Sequence, residues 1–277
     1  MNPFFSFARK FVAPLLLGIT YTGLSFCASP EIKATSDKDC IVFSIEKIVT
    51  RGEDKQVFFK LRNSITNQPL SLTDLKEVHT QKIHLLIIDE SLEDYSHIHP
   101  TPADKPGLYQ FTWHPLKKNA SYFAWVDIVP VQTDKQQYLQ ASLTKGPRKS
   151  ALINRQQVST TKMDNLTFNL SFDQAPLKVQ VPAMGKITIS NAKGKPVQTL
   201  EPIMGAFAHI VGFSDDLKTV IHVHPMGKEP TASSDRGGPS LEFHLQADKA
   251  GFIKLFAQVK INGKELFVPF GVMINAN

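Results

Sequence analysis

The sequence predicts an all-β protein made of two tandem β-sandwich domains of immunoglobulin-like type. Three observations lead there. Short apolar or β-branched runs recur along the chain between clusters of Asn, Gly, Pro, Ser and Thr. No stretch sustains the 3.6-residue period of an amphipathic helix. One histidine-bearing block is written twice at the same spacing. Many short strands with turn signals argue for sandwiches, and 277 residues are enough for two cores.

In chain order, residues 1–27 read as a signal peptide. Arg9 and Lys10 precede an uncharged run from Phe11 to Phe26, too short to span a bilayer and suited to a secretory signal. Leu24-Ser25-Phe26-Cys27 reads as a lipobox with Cys27 as the lipidated residue, although Phe26 stands where a small residue is usual. Ordinary signal-peptidase cleavage after Cys27 is the competing route. Residues 28–39 are polar and form a tether. With Cys27 lipidated or removed, Cys40 leaves no disulfide scaffold.

Residues 40–147 form the expected first sandwich, with strands at Cys40–Val49, Gln56–Leu61, His84–Ile88, Tyr95–His99, Leu108–Trp113 and Tyr122–Val129. Leu70–Val78 has room for a helical turn or two. Residues 148–164 read as a linker. Residues 165–277 form the second sandwich, with strands at Leu166–Phe172, Leu177–Val181, Lys186–Ile189, His209–Phe213, Val220–His224, Ser240–Leu245, Phe252–Val259 and Leu266–Ile274. Asn262-Gly263 between two apolar runs is a strong hairpin signal.

The repeated block carries the candidate site. His84, His97 and His99 precede Pro100, and His209, His222 and His224 precede Pro225, with identical spacings and a leucine (Leu92, Leu217) at one register. Read as a symmetric hairpin, His84 lies opposite His99 with His97 diagonal to it on one face. A one-residue slip would break the triad. Three imidazoles so placed can ligate a transition metal. His79 and Met204, each five residues before the first histidine, are the expected fourth ligands, and a thioether would make the second copy more copper-like. His114 and His244 have no repeated counterpart and read as surface or packing residues. The acids between the strands, Asp89, Glu90, Glu93 and Asp94 with Asp215 and Asp216, read as a solvated turn. Elsewhere the copies align as Leu255-Phe256-Ala257 on Tyr122-Phe123-Ala124.

A net charge of +6 with interspersed signs and no aromatic-basic pattern excludes nucleic acid as a partner. No phosphate loop or nucleophile elbow is present, so a binding protein is expected and not an enzyme.

The block His79-Thr-Gln-Lys-Ile-His84 with His97-Ile-His99-Pro100, and its second form Pro202-Ile-Met-Gly-Ala-Phe-Ala-His209 with His222-Val-His224-Pro225 and Phe256-Ala-Gln258, resembles His-rich domains of poorly characterised bacterial secreted or membrane-anchored envelope proteins. The resemblance implies heavy-metal handling. The combined expectation is an exported, lipid-anchored envelope protein binding copper or zinc. Its partners would be the membrane and other metal-handling envelope proteins. Two other readings stand beside it: an envelope interaction module whose histidines only brace the hairpins, and a metal-dependent enzyme.

Overall fold

The computed structural model describes residues 41–144, 152–223 and 225–277. Eight strands make the first half: β1 (Ile41–Arg51), β2 (Asp54–Asn63), β3 (His84–Asp89), β4 (Tyr95–Ile98), β5 (Thr101–Pro102), β6 (Leu108–Trp113), β7 (Tyr122–Ile128) and β8 (Gln137–Ser142). They pair in two sheets of order β1-β2-β6-β5 and β4-β3-β7-β8. In immunoglobulin lettering these are A-B-E-D and C′-C-F-G. Period-2 alternation sends Val57, Phe59, Tyr109 and Phe111 of one sheet against Leu85, Ile87, Ala124 and Val126 of the other.

The second half repeats the plan. Its strands are β9 (Thr160–Met163), β10 (Leu166–Phe172), β11 (Leu177–Lys178), β12 (Ala183–Asn191), β13 (Leu200–Glu201), β14 (His209–Ser214), β15 (Val220–Val223), β16 (Ser240–Leu245), β17 (Gly251–Ile261) and β18 (Lys264–Asn275). One sheet runs β16-β12-β10-β9 and the other β11-β18-β17-β14-β15. Phe168, Ile187, Ile189 and Phe243 face Ile210, Leu255, Ala257 and Phe270 between them. The expected all-β, immunoglobulin-like architecture therefore holds. Asn262 and Gly263 both adopt positive φ and join β17 to β18, as their turn chemistry requires.

Four details depart from the sequence reading. β8, β5 and β13 carry too few apolar residues, or are too short, to announce themselves. β9, inside the stretch read as linker, pairs with β10 and belongs to the second sandwich. Only Leu72–Asp74 of the helical candidate winds, as a single 3-10 turn. The loop acids of the first copy are not a solvated turn, because Asp89 is fully buried. Its Oδ1 accepts from the amides of Glu93 and Asp94, and its Oδ2 from Ser91 and Lys117. Asp94 is likewise buried and accepts from Leu116 N at 2.7 Å and from the Tyr122 hydroxyl.

A third apolar cluster joins the halves, and it determines where the histidines meet. It contains Leu86, Ile88, Leu92, Tyr95 and Trp125 from the first sandwich and Val211, Phe213, Leu217, Val220 and Phe256 from the second. These are the same five positions of each copy, so the contact is isologous, as between the subunits of a two-fold dimer. Leu92 and Leu217 both adopt positive φ (61 and 56) at their loops, which turns each buried side chain into this interface. The repeated leucine thereby has its explanation. Residues Asp37–Asn277 form one compact unit.

Candidate metal centre

The two hairpins close in the register expected from their spacing. Leu85 pairs with Ile98, Leu86 with His97, and Ile88 with Tyr95, which sets His84 and His99 at the next opposed position. In the second copy Ile210 pairs with Val223 and Val211 with His222, the same register. His84, Leu86, Tyr95 and His97 share one face of their sheet, and His209, Val211, Val220 and His222 share the matching face of the other. Each face is the one turned toward the opposite half.

Consequently the histidines converge across the interface. One ligand nitrogen from each of His84, His97 and His99 lies within 4.8 Å of the others, and the same is true of His97, His209 and His222. Beside the expected triad of its own copy, His97 also forms a triad with two histidines of the second copy, a meeting across the halves that the spacing alone did not announce. His224 lies outside the described residues, as do Cys27, the tether and Cys40.

The supporting oxygens reveal which nitrogen of each ring carries the lone pair. His84 Nε2 lies 3.0 Å from Val78 O, and His209 Nε2 lies 3.1 Å from Ile203 O. Carbonyls only accept, so both Nε2 atoms carry the proton and both Nδ1 atoms carry the lone pair. His222 Nδ1 donates to Asp127 Oδ2 at 2.8 Å. His97 Nδ1 meets Gln258 Oε1 at 3.0 Å, and the Gln258 amide is oriented by its Nε2 donating to Glu265 Oε2 at 3.2 Å. His97 and His222 therefore carry their lone pairs on Nε2. Both of these bonds cross between the halves.

The nitrogens that carry the lone pairs face one another. His84 Nδ1 stands 3.3 Å from His97 Nε2, and His222 Nε2 stands 3.4 Å from His209 Nδ1. His99 Nε2 adds an approach of 3.2 Å to His84 Nδ1. Two lone pairs at that distance repel unless a cation lies between them. The spacing matches the edge of a tetrahedron, about 3.3–3.4 Å for metal–nitrogen bonds of about 2.0–2.1 Å. A histidine whose other N–H is held by a carboxylate, amide or backbone carbonyl is also the usual arrangement of a metal ligand.

A proton is a poor substitute for the ion. Burial, then the neighbouring His222, lowers the pKa of His84. Burial and three imidazole neighbours push His97 well below its ordinary range. Burial brings His99 to about 4 and His209 to about 3. Each of these rings is thus held neutral, the form that binds metal.

The two expected fourth ligands fare differently from the triads. His79 and Met204 occupy equivalent left-handed positions (φ 46 and 48) in two-residue turns that bridge Val78 to Gln81 and Ile203 to Ala206. Those turns present the Val78 and Ile203 carbonyls to His84 and His209. A Cβ added at Gly205 would meet Thr80 Cγ2 at 3.1 Å, so the two turns pack on each other. His79 belongs to neither triad. It lines a cavity of about 170 Å³ with His84, Asp127, Gln136 and His222, and its Nδ1 lies 3.8 Å from Glu229. Burial lowers its pKa as well. Met204 is half-buried in its turn. His114 and His244 are exposed, His114 beside Asp54 at 2.8 Å.

Sequence reasoning missed Asp127 and Gln258. Both stand directly opposite the first histidine of their copy, His84 with Asp127 and His209 with Gln258. This corrects the alignment of the strands: Phe256 corresponds to Trp125, not to Phe123. The signal available was an aromatic followed two residues later by a buried polar residue, Trp125-x-Asp127 and Phe256-x-Gln258.

Fold and site together define a tandem immunoglobulin-like β protein with buried histidine triads able to hold a metal ion. By sequence the chain belongs to the family described as Domain of unknown function (DUF8832), which matches residues 35–144 and 160–276. No curated protein matches it. Among solved structures it is similar to the Escherichia coli adhesin FdeC, at 14% identity and a TM-score of 0.26, over 85% of this chain and 64% of that one. It is also similar to MtrC from Shewanella baltica, at 8% identity and 0.26, over 86% and 70% of the two chains. A third likeness is to Escherichia coli alpha-2-macroglobulin, at 13% and 0.24, over 86% of this chain and 20% of that one. Likenesses this distant place no constraint on function.

Proposed function

We propose that this protein is a non-catalytic, exported metal-binding protein whose ion is zinc or copper, with zinc favoured. The observation that carries the reading is the approach of lone-pair imidazole nitrogens at 3.3 and 3.4 Å, each ring held from behind by an oxygen. An all-imidazole donor set suits both metals, and a tetrahedral edge suits zinc better than copper(II), which takes square-planar or tetragonal arrangements. Turnover has less support. Among the residues lining the cavity Asp127 is the one acid, and both its oxygens already accept from Gln136, with His222 on Oδ2. A metal hydrolase needs a carboxylate able to take a proton from bound water.

Export rests on residues 1–27, and anchoring on lipidation of Cys27. A lipid anchor would hold the sandwiches at a membrane surface, where other metal-handling envelope proteins are the natural partners. Among the described residues no helix is long and apolar enough to cross a membrane.

The test is metal analysis of protein purified without a His tag. Native zinc or copper, or uptake below micromolar, supports the reading. Loss of that uptake in the triple variant His84→Ala, His97→Ala, His99→Ala places it at this site. Native protein that carries no metal and titrates none below micromolar overturns it.

A further inference from the structure

We infer that Glu265, an exposed residue of β18 that belongs to neither triad, is a positioning residue for the metal centre. Through the Gln258 amide it decides which nitrogen of the buried His97 ring carries the proton. The inference rests on the metal-binding reading above and adds the residue that keeps the centre open to an ion.

Register brings the three groups together. On β17 Gln258 stands opposite Phe267 of β18, so Glu265, two residues from Phe267, shares the face of Gln258 and lies diagonal to it. Glu265 Oε2 accepts from Gln258 Nε2 at 3.2 Å, and Gln258 Oε1 lies 3.0 Å from His97 Nδ1. An ionised carboxylate has no proton to give, so the amide turns its NH₂ toward Glu265 and its oxygen toward the ring. Burial and the neighbouring imidazoles hold His97 neutral, with one N–H shared between two nitrogens. The amide oxygen draws that N–H to Nδ1 and leaves the lone pair on Nε2.

A reversed amide would give the opposite ring. Its NH₂ would donate to Nδ1, and the ring proton would move to Nε2, which stands 3.3 Å from His84 Nδ1. His84 keeps its lone pair there because Val78 O holds its Nε2–H. A hydrogen bond from His97 to His84 would then form where two lone pairs now meet, and it would occupy the nitrogen that an ion needs. For a metal-free pair that bond is the easier state. A group outside the pair must therefore hold the amide the other way, and Glu265 is that group. No such group is needed behind His222, because it donates to Asp127, whose carboxylate accepts whichever way it turns.

Nitrogen-15 spectra of the imidazole rings in the full, metal-free, untagged chain, read beside zinc affinity, test this on Glu265→Lys. An ammonium donates where the carboxylate accepted, so the amide should reverse. His97 is expected to carry its proton on Nδ1 in the unaltered chain and on Nε2 in the variant, whose zinc affinity should fall by roughly ten- to a hundredfold. Glu53→Lys makes the same change of charge at the exposed turn between β1 and β2 and should alter neither, which separates the tautomer from a general effect of charge. A His97 proton that stays on Nδ1 in Glu265→Lys would overturn the inference. So would a proton that moves with no loss of zinc affinity, or an equal loss in Glu53→Lys. Absence of submicromolar zinc in the unaltered chain would instead sink the metal-binding reading, and the ring spectra would still decide whether Glu265 sets the tautomer.

Discussion

His97 on the first sandwich donates its Nδ1–H to Oε1 of Gln258 on the second, at 3.0 Å. The reciprocal bond runs the other way, from His222 on the second sandwich to Asp127 on the first, at 2.8 Å. Each half thereby orients a metal-binding ring of the other. The pair is not symmetric in charge: a carboxylate stands behind His222 and a neutral amide behind His97.

That asymmetry makes a testable difference. Groups that hold a ligand's second N–H usually contribute ten- to a hundredfold to metal affinity. Asp127→Asn removes the negative charge and should weaken zinc by about a hundredfold. Gln258→Leu removes a neutral acceptor and should weaken it by about tenfold. Competition with a chromophoric chelator measures both, and equal, negligible losses would show that neither group acts on the ion.

Acid should destabilise the metal-free protein. Burial holds His99 at about 4 and His209 at about 3 in the folded chain, against an ordinary value of 6.5. Between those limits the unfolded chain binds more protons than the folded one, so lowering pH favours unfolding. The stability held in the neutral rings is complete above 6.5, declines as pH falls below it, and is fully lost once pH has passed about 4 for His99 and about 3 for His209. Urea midpoints read by tryptophan fluorescence should therefore fall from about pH 7.5 to about pH 4.5. His209→Gln should flatten the dependence.

The interface between the sandwiches should behave as core. Trp125 is 2% exposed and its ring lies 5.5 Å from that of Phe213 in the second half. Trp125→Ala is expected to cost about 3–5 kcal/mol, the usual range for a buried aromatic. The wild-type chain should unfold in one transition, because Leu86, Ile88, Val211 and Phe256 are buried only while the halves are joined. Two separate transitions of equal cooperativity would contradict a shared core.

The turn behind His209 tolerates little change. Gly205 has φ +79, and a Cβ there would crowd Thr80 of the other turn at 3.1 Å. Gly205→Val adds backbone strain and that contact together. A loss of about 1–3 kcal/mol is expected, visible as a lower thermal midpoint. Because Ile203 O would shift away from His209, zinc affinity should fall in the same variant.

Much of this was legible in the sequence, and the remainder was hidden for physical reasons. Hairpin register could be read because the loop from Asp89 to Asp94 is short and alternation along β3 and β4 fixes which side chains share a face. The meeting of His97 with His209 and His222 could not. It depends on how two sandwiches dock, and the interface residues Leu86 and Val211 look like any other strand interior when β3 and β14 are apolar on both faces. Asp127 and Gln258 stayed hidden for a related cause. Their strands were aligned on the matching Phe-Ala pairs, Phe123-Ala124 and Phe256-Ala257, when the structure matches Phe256 to Trp125. Repetition of the histidines thus signalled shared architecture first, and the site emerged only from convergence.

X-ray absorption at the zinc edge on the loaded, untagged chain tests the central claim most directly. A buried imidazole site predicts a first shell of nitrogen alone at about 2.0–2.1 Å, with the multiple-scattering pattern of at least three histidine rings. A first shell dominated by water or carboxylate oxygen, with one histidine or none, would contradict it.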